Sequence, residues 1–235
     1  MNVIARRDKW GILAIAGALW FLTPSPAAAD LVLSLGVGNS AISGYTGPYG
    51  TVDVHLVDST HATVTLTSNT VGGNTYLFGD GGTIGLNING TATASAWTGT
   101  NSGSGFSSWS LVSTGSGNMD GFGVFNFTVK SFDGYPHSVD YLKFTLTKTA
   151  GTWSSADNVL TPNSSGYEAA GHVFVTTAPA NAGNGALATG FAANGGSTSS
   201  VVPEPSSLAL GSIAFVGLGY VQLRRLIRRR ALALA

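Results

Sequence analysis

The middle of the chain consists of short runs in which apolar and polar residues alternate, and this pattern constrains the fold more than any other feature. The clearest runs are TVDVHLVD (residues 51 to 58), ATVTLTS (62 to 68), FNFTVKSF (125 to 132), YLKFTLTK (141 to 148) and GHVFVTTA (171 to 178). Successive side chains of a strand point to opposite faces of a sheet. Each run therefore predicts a strand with one buried face and one solvated face.

Segments rich in glycine, asparagine and aspartate separate these runs, among them VGGN, GDGG, NING and FDGYP. Such segments predict tight turns, and many short strands joined by turns indicate two packed antiparallel sheets. The tryptophans Trp97, Trp109 and Trp153 are expected to supply much of the buried apolar area. The sequence therefore predicts an all-β fold for residues 30 to 180, an antiparallel β-sandwich with a jelly-roll-like arrangement.

Residues 181 to 200 have a different composition, dominated by small and polar residues. The last part, NGGSTSS, is typical of a flexible linker. The preceding ALATGFA has enough apolar residues to form one more strand that closes a sheet. Both a linker and a last strand are therefore open for this stretch.

The first 29 residues have the three parts of a secretory signal peptide. A basic start with Arg6 and Arg7 is followed by the apolar run GILAIAGALWFL, which is too short to span ~30 Å of hydrocarbon comfortably. Ala27 and Ala29 have the small-residue spacing that signal peptidase requires. The sequence predicts cleavage between Ala29 and Asp30, and hence export by the Sec route.

The other end of the chain has an uncharged apolar stretch, residues 206 to 223. As a helix it would cover ~27 Å, enough for a single span of a thin bilayer. A cluster of basic residues follows it, and these are Arg224, Arg225, Arg228, Arg229 and Arg230. Positive charge favours the cytoplasmic side of a membrane. The sequence predicts one C-terminal transmembrane helix, with the C-terminus in the cytoplasm and the β-rich domain outside.

Immediately before this stretch lies the motif Val202-Pro203-Glu204-Pro205. Two prolines around an acid favour an extended segment that cannot continue as a helix. The motif, the apolar stretch and the arginines, residues 201 to 230, together resemble the PEP-CTERM sorting signal of Gram-negative bacteria. The resemblance implies that an exosortase, a membrane cysteine protease-transpeptidase, recognises Pro203, Glu204 and Pro205 and removes the tail.

The middle of the chain also resembles the ectodomains of other PEP-CTERM proteins, in MDGFGVFNFTVKSFDGYPHS, LKFTLTKTAGTWSSADNVL and AAGHVFV. Those ectodomains are exported, β-rich and associated with exopolysaccharide and biofilm production. Their activity is largely unassigned, so the resemblance implies an exported β-rich protein of the cell surface or extracellular matrix, and the lack of a catalytic pattern described below predicts that it is non-enzymatic. Its expected partners are signal peptidase and exosortase as processing enzymes, the membrane before processing, and extracellular polysaccharide.

Charge and composition exclude several other classes of function. Residues 30 to 200 contain three lysines, eight aspartates and one glutamate, a net charge of −6 that repels phosphate backbones and argues against nucleic-acid binding. The chain has no cysteine, which excludes disulfides, Cys-ligated zinc and thiol catalysis. No cofactor or metal site is predicted.

No sequence pattern assembles a catalytic site. The chain lacks a G-x-S-x-G elbow, and Glu168 is the only glutamate between residues 30 and 200, which disfavours a glycosidase with paired glutamates. His55 and His61 fit solvated strand positions, and His172 fits a hydrogen-bonded structural position. An exported hydrolase with an unrecognised Asp/His site remains the competing hypothesis.

A second alternative is an ice-binding or carbohydrate-binding β protein. The alternating threonines of TVTLTS (residues 63 to 68) and TATAS (91 to 95) are able to form a flat, ordered surface. An ice-binding face requires that such residues repeat in register across several strands. The sequence shows only these two runs.

Overall fold

The computed structural model describes residues 29–131, 134–195 and 200–202, and within them the chain forms fourteen strands, five short 3-10 turns and no α-helix. The first seven strands are β1 (Asp30–Ser34), β2 (Val37–Gly38), β3 (Gly50–Asp58), β4 (His61–Ser68), β5 (Thr70–Val71), β6 (Asn74–Phe78) and β7 (Ile84–Leu86). The others are β8 (Ala92–Thr100), β9 (Leu111–Met119), β10 (Gly123–Ser131), β11 (Tyr141–Lys148), β12 (Ala169–Thr177), β13 (Ala188–Ala193) and β14 (Ser200–Val202).

The strands form two antiparallel sheets. The first sheet has the order β14-β1-β3-β4-β11-β8. The second sheet has the order β2-β13-β12-β7-β10-β9, with β6 pairing to β12 and β5 to β6. The prediction of an all-β fold with antiparallel sheets is confirmed.

One apolar core lies between the sheets and takes side chains from both. Phe144 on β11 and Leu66 on β4 belong to the first sheet, while Val129 on β10 and Val175 on β12 belong to the second, and all four are fully buried. Full burial of a side chain of this size contributes about 1.5–3 kcal/mol before entropy is counted. The apolar residues of the alternating runs therefore form the core between the two sheets.

The five predicted runs correspond to β3, β4, β10, β11 and β12, and YLKFTLTK matches β11 residue for residue. Of the three tryptophans, Trp153 is fully buried and donates a hydrogen bond of 3.1 Å from Nε1 to the carbonyl oxygen of Asn89. Trp97 and Trp109 are half-buried and pack against the edge of the core.

The strand β8 lacks apolar alternation, and a bulge explains how it still buries Trp97. Ala96 has φ +54, and the pairing of β8 with β11 shifts by one residue between Ser95 and Thr98. An inserted residue re-aims the side chains that follow it. Trp97 therefore stacks on Phe144 with ring centroids 4.6 Å apart, while Thr98 returns to the solvent face.

Residues 181 to 200, for which the sequence left a linker and a last strand open, contain β13 and the first residue of β14. β13 pairs with β12 and β2 inside the second sheet, and β14 pairs with β1 at the edge of the first. Ala192 and Ala193 are fully buried. The alternative with a last strand is therefore the one that the structure has, and the folded domain extends beyond residue 180 to Val202. The sequence pattern did not reveal β13 clearly, because its buried residues are small. They are buried by the close packing of the neighbouring strands.

The outer faces of the two sheets differ. Phe174 on β12 and Leu77 on β6 point away from the main core and pack with Tyr135 in a separate apolar cluster. A further cluster around Met119, Phe122 and Phe125 also lies outside the main core. The first sheet has no comparable cover among the described residues, and its outer face is polar.

Candidate functional site

The outer face of the first sheet carries hydroxyl groups in register across four strands. On β4 and β11, Thr67 lies opposite Tyr141 and Thr63 opposite Thr145, and on β8 Thr100 lies opposite Tyr141. We call this surface the hydroxyl face, and it comprises Thr51, Thr63, Thr65, Thr67, Thr93, Ser95, Thr98, Thr100, Thr145 and Thr147. The threonine pattern thus extends over more strands than the two runs in the sequence suggested.

Charged side chains interrupt the hydroxyl face. Asp53 and His55 lie on β3, and Lys143 lies on β11 between Tyr141 and Thr145. Sheets of this kind also twist by roughly 20–25° from strand to strand. The surface is therefore neither uniform nor flat over its whole width.

An open groove of about 870 Å³ lies at the end of this face. Its hydroxyl-bearing residues are Thr67, Ser68, Thr70, Thr75, Thr100, Ser102, Ser104, Thr177 and Tyr141. Two amides, Asn181 and Asn184, and one carboxylate, Asp140, also line it, and the apolar part consists of Ala178, Pro179 and Ala180 with Gly103. Among the described residues that line the groove there is no lysine, arginine or histidine.

Two loops joined by main-chain hydrogen bonds form one wall of the groove. The Ser104 N–H donates to the Ala180 carbonyl oxygen at 3.2 Å, and the Ala182 N–H donates to the Ser104 carbonyl oxygen at 2.9 Å. Asn101 braces the first loop, because its Oδ1 accepts from the Gly103 N–H at 2.7 Å and its Nδ2 donates to the Ser138 carbonyl oxygen at 2.7 Å. The wall is therefore held by its own backbone before any ligand binds.

Asp140 fastens the end of β8 to the start of β11. Its Oδ1 accepts a hydrogen bond of 3.0 Å from the Thr100 hydroxyl. Its Oδ2 accepts from the Ser102 N–H at 2.8 Å and from the Ser102 hydroxyl. Both oxygens are thus engaged, and this carboxylate, the only one among the described residues of the groove, braces the loop that follows β8.

Other polar groups in the groove lack such partners. The side chains of Thr67, Tyr141 and Asn184 make no hydrogen bond to any described residue. Thr67 and Asn184 are exposed and Tyr141 is half-buried, and Tyr141 lies on β11 between the strands that carry Thr67 and Thr100. These groups face the groove with donor and acceptor capacity unused within the described chain.

Three pairs of aspartate and histidine occur among the described residues, and none of them lines the groove. His55 Nδ1 lies 2.6 Å from Asp30 Oδ1, and His61 Nδ1 lies 2.8 Å from Asp58 Oδ2, both on the surface. The hydrogen bonds that Asp58 accepts, first from the Thr60 N–H and then from the His61 side chain, hold the pKa of its carboxyl well below the usual range.

The third pair belongs to a chain of three side chains that resembles a nucleophile, a base and an acid. The Thr189 hydroxyl lies 2.7 Å from His172 Nε2, and Asp80 Oδ2 lies 3.9 Å from His172 Nδ1. A carbonyl only accepts, so the 3.1 Å contact with the Gly79 carbonyl oxygen assigns the proton to Nδ1 and makes Nε2 the acceptor from Thr189. Asp80 is beyond hydrogen-bond distance, so the orientation of the ring depends on Gly79.

The surroundings of His172 are those of a structural residue. Its ring centroid lies 4.9 Å from that of Phe174 and 4.7 Å from that of Phe191. Burial lowers the pKa of His172, against the opposite influence of the Gly79 hydrogen bond and of Asp80. The sequence-based interpretation of His172 as a hydrogen-bonded structural residue agrees with these contacts.

Asp53, beside the Asp30–His55 pair, has a buried Oδ1 without a hydrogen-bond partner among the described residues. Burial raises the pKa of Asp53, the negative charge of Asp30 raises it further, and His55 acts in the opposite direction.

The described residues contain no group of three His, Asp or Glu side chains suited to a metal ion.

Some of the residues that are predicted to direct processing lie within the described ranges, and the others lie outside them. Asp30 is the first residue of β1 and Val202 the last of β14, and the two lie opposite each other in the strand pair, with Ala29 just before β1. The predicted site residues Ala27, Pro203, Glu204, Pro205, Arg224, Arg225, Arg228, Arg229 and Arg230 lie outside the described residues. Within the described ranges, no helix is long and apolar enough to cross a membrane.

Sequence reasoning did not locate the groove, because its lining residues come from several separate segments between residues 67 and 184. The available signals were the threonine runs of β4 and β8 and the Asp140-Tyr141 step at the start of β11. Comparisons with protein families, with curated proteins and with solved structures gave no match.

Proposed function

We propose that this chain is an exported, non-enzymatic protein of the cell surface or extracellular matrix, processed at both ends. Signal peptidase cleaves after Ala29, and an exosortase recognises Pro203, Glu204 and Pro205 and removes the C-terminal tail. Between these steps, residues 206 to 223 hold the protein in the inner membrane as a transmembrane helix. Residues 224 to 230 keep the C-terminus in the cytoplasm.

The observation that carries this proposal is the agreement between the limits of the folded unit and the expected processing points. The compact unit extends from Ala28 to Val202. β1 begins at Asp30, the residue after the expected signal-peptidase site, and Val202, the residue before the Pro-Glu-Pro motif, pairs with Asp30 in the first sheet. Removal of both terminal segments therefore leaves the fourteen described strands in place.

The chemistry of the motif fits recognition by a protease. Two prolines around an acid favour an extended segment that does not continue as a helix. Pro203, Glu204 and Pro205 therefore suit an extended recognition segment, with the Glu204 carboxylate as its charged group. For the fold of the exported domain, we propose that the two antiparallel sheets form a β-sandwich with a jelly-roll-like arrangement.

A hydrolytic function has less support from the site. Glycoside hydrolases of the usual types need two carboxyl groups on either side of the scissile bond. The described residues of the groove include one carboxylate, Asp140, whose two oxygens already accept hydrogen bonds from Thr100 and Ser102. The Thr189–His172–Asp80 chain lacks a hydrogen bond from Asp80 to the ring and is not part of the groove.

The proposal is tested by a triple substitution of Pro203, Glu204 and Pro205 to alanine in cells that contain the exosortase. The wild-type protein is expected to lose the tail and leave the inner membrane, whereas the variant keeps the tail and stays in the membrane fraction. Pro162→Ala, an exposed loop proline inside the domain, is the matched control and should be processed normally. Equal mass and equal location for the wild-type protein and the triple variant would contradict the sorting proposal.

A further inference from the structure

We propose that the groove at the end of the first sheet binds a segment of a neutral polysaccharide, with the chain continuing along the hydroxyl face. This inference rests on the proposed export, because only an exported domain meets such a polymer. Beyond the proposed function, this inference names the binding site, the class of ligand and the residues that contact the ligand.

The polar groups of the groove match the surface of a sugar. A sugar hydroxyl donates one hydrogen bond and accepts others, so its best partners are groups that do both. The groove offers eight serine and threonine hydroxyls and the amides of Asn181 and Asn184. Thr67 and Asn184, which lack a hydrogen-bond partner among the described residues, have these capacities available for a ligand.

The apolar groups match the other surface of a sugar ring, where the C–H groups lie. Tyr141 presents a half-buried ring with a hydroxyl group, which combines apolar contact area with a polar end. Ala178, Pro179 and Ala180 form an apolar strip in the same groove. A sugar ring therefore meets hydroxyl groups at its rim and apolar surface across its face.

The groove is preorganised, which lowers the entropy that binding must overcome. The Ser104–Ala180 and Ala182–Ser104 hydrogen bonds join its two loops. Tyr135 Oη donates a hydrogen bond of 2.5 Å to Thr176 Oγ1 and lies 3.1 Å from the Asn181 carbonyl oxygen, which anchors the second loop to β12. A volume of about 870 Å³ lies within the usual range for small-molecule sites.

The groove opens onto the hydroxyl face, so a ligand longer than the groove has a continuous path. Thr67, Tyr141 and Thr100 line the groove and also form the first row of that face. The next row along β4, β11 and β8 contains Thr65, Lys143 and Thr98. This geometry favours an extended polymer over a compact monosaccharide.

The negative charge of the domain favours neutral polysaccharides over acidic ones. Residues 30 to 200 have a net charge of −6, and the described residues that line the groove include Asp140 but no lysine or arginine. A polyuronate, a sulfated glycan or a phosphorylated glycan would be repelled by this field. The twist of the sheet and the charges of Asp53, His55 and Lys143 also make the hydroxyl face a poor match to the regular, uncharged lattice of ice.

The test is isothermal titration of the full-length chain, kept in a detergent without a sugar headgroup, with three probes. Cello-oligosaccharides and manno-oligosaccharides are the neutral probes, and oligoalginates are the acidic probe. At least one neutral probe is expected to bind, and the oligoalginates are expected not to bind. Because the chain is unprocessed, the result does not depend on exosortase, and a failure here leaves the sorting proposal standing.

Matched variants locate the site. Tyr141→Ala removes the apolar contact and should weaken binding about tenfold, while Tyr141→Phe should keep most of the affinity. Thr67→Ala in the groove should weaken binding a few-fold. Thr161→Ala is its control, because Thr161 is an exposed loop threonine that belongs neither to the groove nor to the hydroxyl face.

Three outcomes would overturn the inference. The first is absence of binding to both neutral probes. The second is binding that Tyr141→Ala and Thr67→Ala leave unchanged, which would place the ligand elsewhere. The third is stronger binding of oligoalginates than of the neutral probes. Shaping of ice crystals by a protein that binds neither neutral probe would assign the hydroxyl face to ice instead.

Discussion

The Asp30 carboxylate lies 2.6 Å from Nδ1 of His55, and this contact ties the first residue of β1 to β3. The two side chains are 26% and 48% exposed, so the pair contributes no more than about 1 kcal/mol. Opposite Asp30 on its other side lies Val202, the last residue of β14. The two ends of the folded domain therefore meet at one edge of the first sheet, beside the buried oxygen of Asp53.

Asp53→Asn is expected to stabilise the domain at neutral pH. Burial, followed by the charge of Asp30, raises the pKa of Asp53, so the folded state holds this proton more tightly than the unfolded state. The favourable contribution of the protonated carboxyl is present at low pH and is lost as the pH rises through the raised pKa. We expect the free energy of unfolding in urea to increase at about pH 7, by less than about 1 kcal/mol because solvent screens the partly exposed group.

The same substitution should bring no gain near pH 3, where Asp53 is protonated in both states. His55→Ala is a useful second variant. His55 lowers the pKa of Asp53, so its removal should destabilise the domain at neutral pH. A loss of stability on Asp53→Asn at neutral pH would contradict this view of the site.

Acidification is expected to destabilise the domain through His172. Burial lowers the pKa of this side chain, so the folded state binds the proton less tightly than the unfolded state. The stability that results is complete above the ordinary pKa of about 6.5 and is lost as the pH falls through the lowered value. Urea unfolding measured between about pH 7.5 and pH 5 should therefore show a falling free energy of unfolding.

His172→Gln should flatten that dependence, because glutamine does not titrate. At neutral pH it should also lower the free energy of unfolding by about 1–2 kcal/mol, since the contacts to Gly79 and Thr189 are disturbed. A variant with the same pH dependence as the wild-type protein would show that another group is responsible.

Gly50→Ala is expected to be destabilising, and Gly115→Ala is its matched control. A Cβ atom at Gly50 would lie 2.7 Å from Phe78 Cζ and 2.7 Å from the Thr67 carbonyl oxygen. Overpacking of this kind typically costs about 1–3 kcal/mol. At Gly115, also a strand residue, no heavy atom lies within 4 Å of the added carbon. Equal free energies of unfolding for the two variants would contradict the close packing of β3 against Phe78.

The sequence predicted those strands whose alternation is strong, and YLKFTLTK is the clearest example because Leu142, Phe144 and Leu146 all face the core. It did not predict β8 or β9, which are built largely from small and polar residues. In β8 the bulge at Ala96 changes the register within the strand, so no single period describes it. β13 was left open because its buried residues are small, and only the neighbouring strands β2 and β12 explain why it forms.

The groove was beyond sequence reasoning for a related reason. Thr67 and Tyr141 are 74 positions apart in the sequence but are opposite each other in the pairing of β4 with β11. Asp140 stands out in the sequence as an acid before a strand, but its role as a brace depends on where Thr100 and Ser102 lie. Register across non-neighbouring segments is tertiary information, and a local pattern does not carry it.

The central claim is that the mature protein is the folded unit released from both terminal segments. Intact-mass analysis of the protein isolated from its native envelope, with and without a functional exosortase, tests it most directly. We expect a species that begins at Asp30 in both strains and lacks residues 206 to 235 only when exosortase is active. A product that keeps residues 206 to 235 in both strains would contradict the claim.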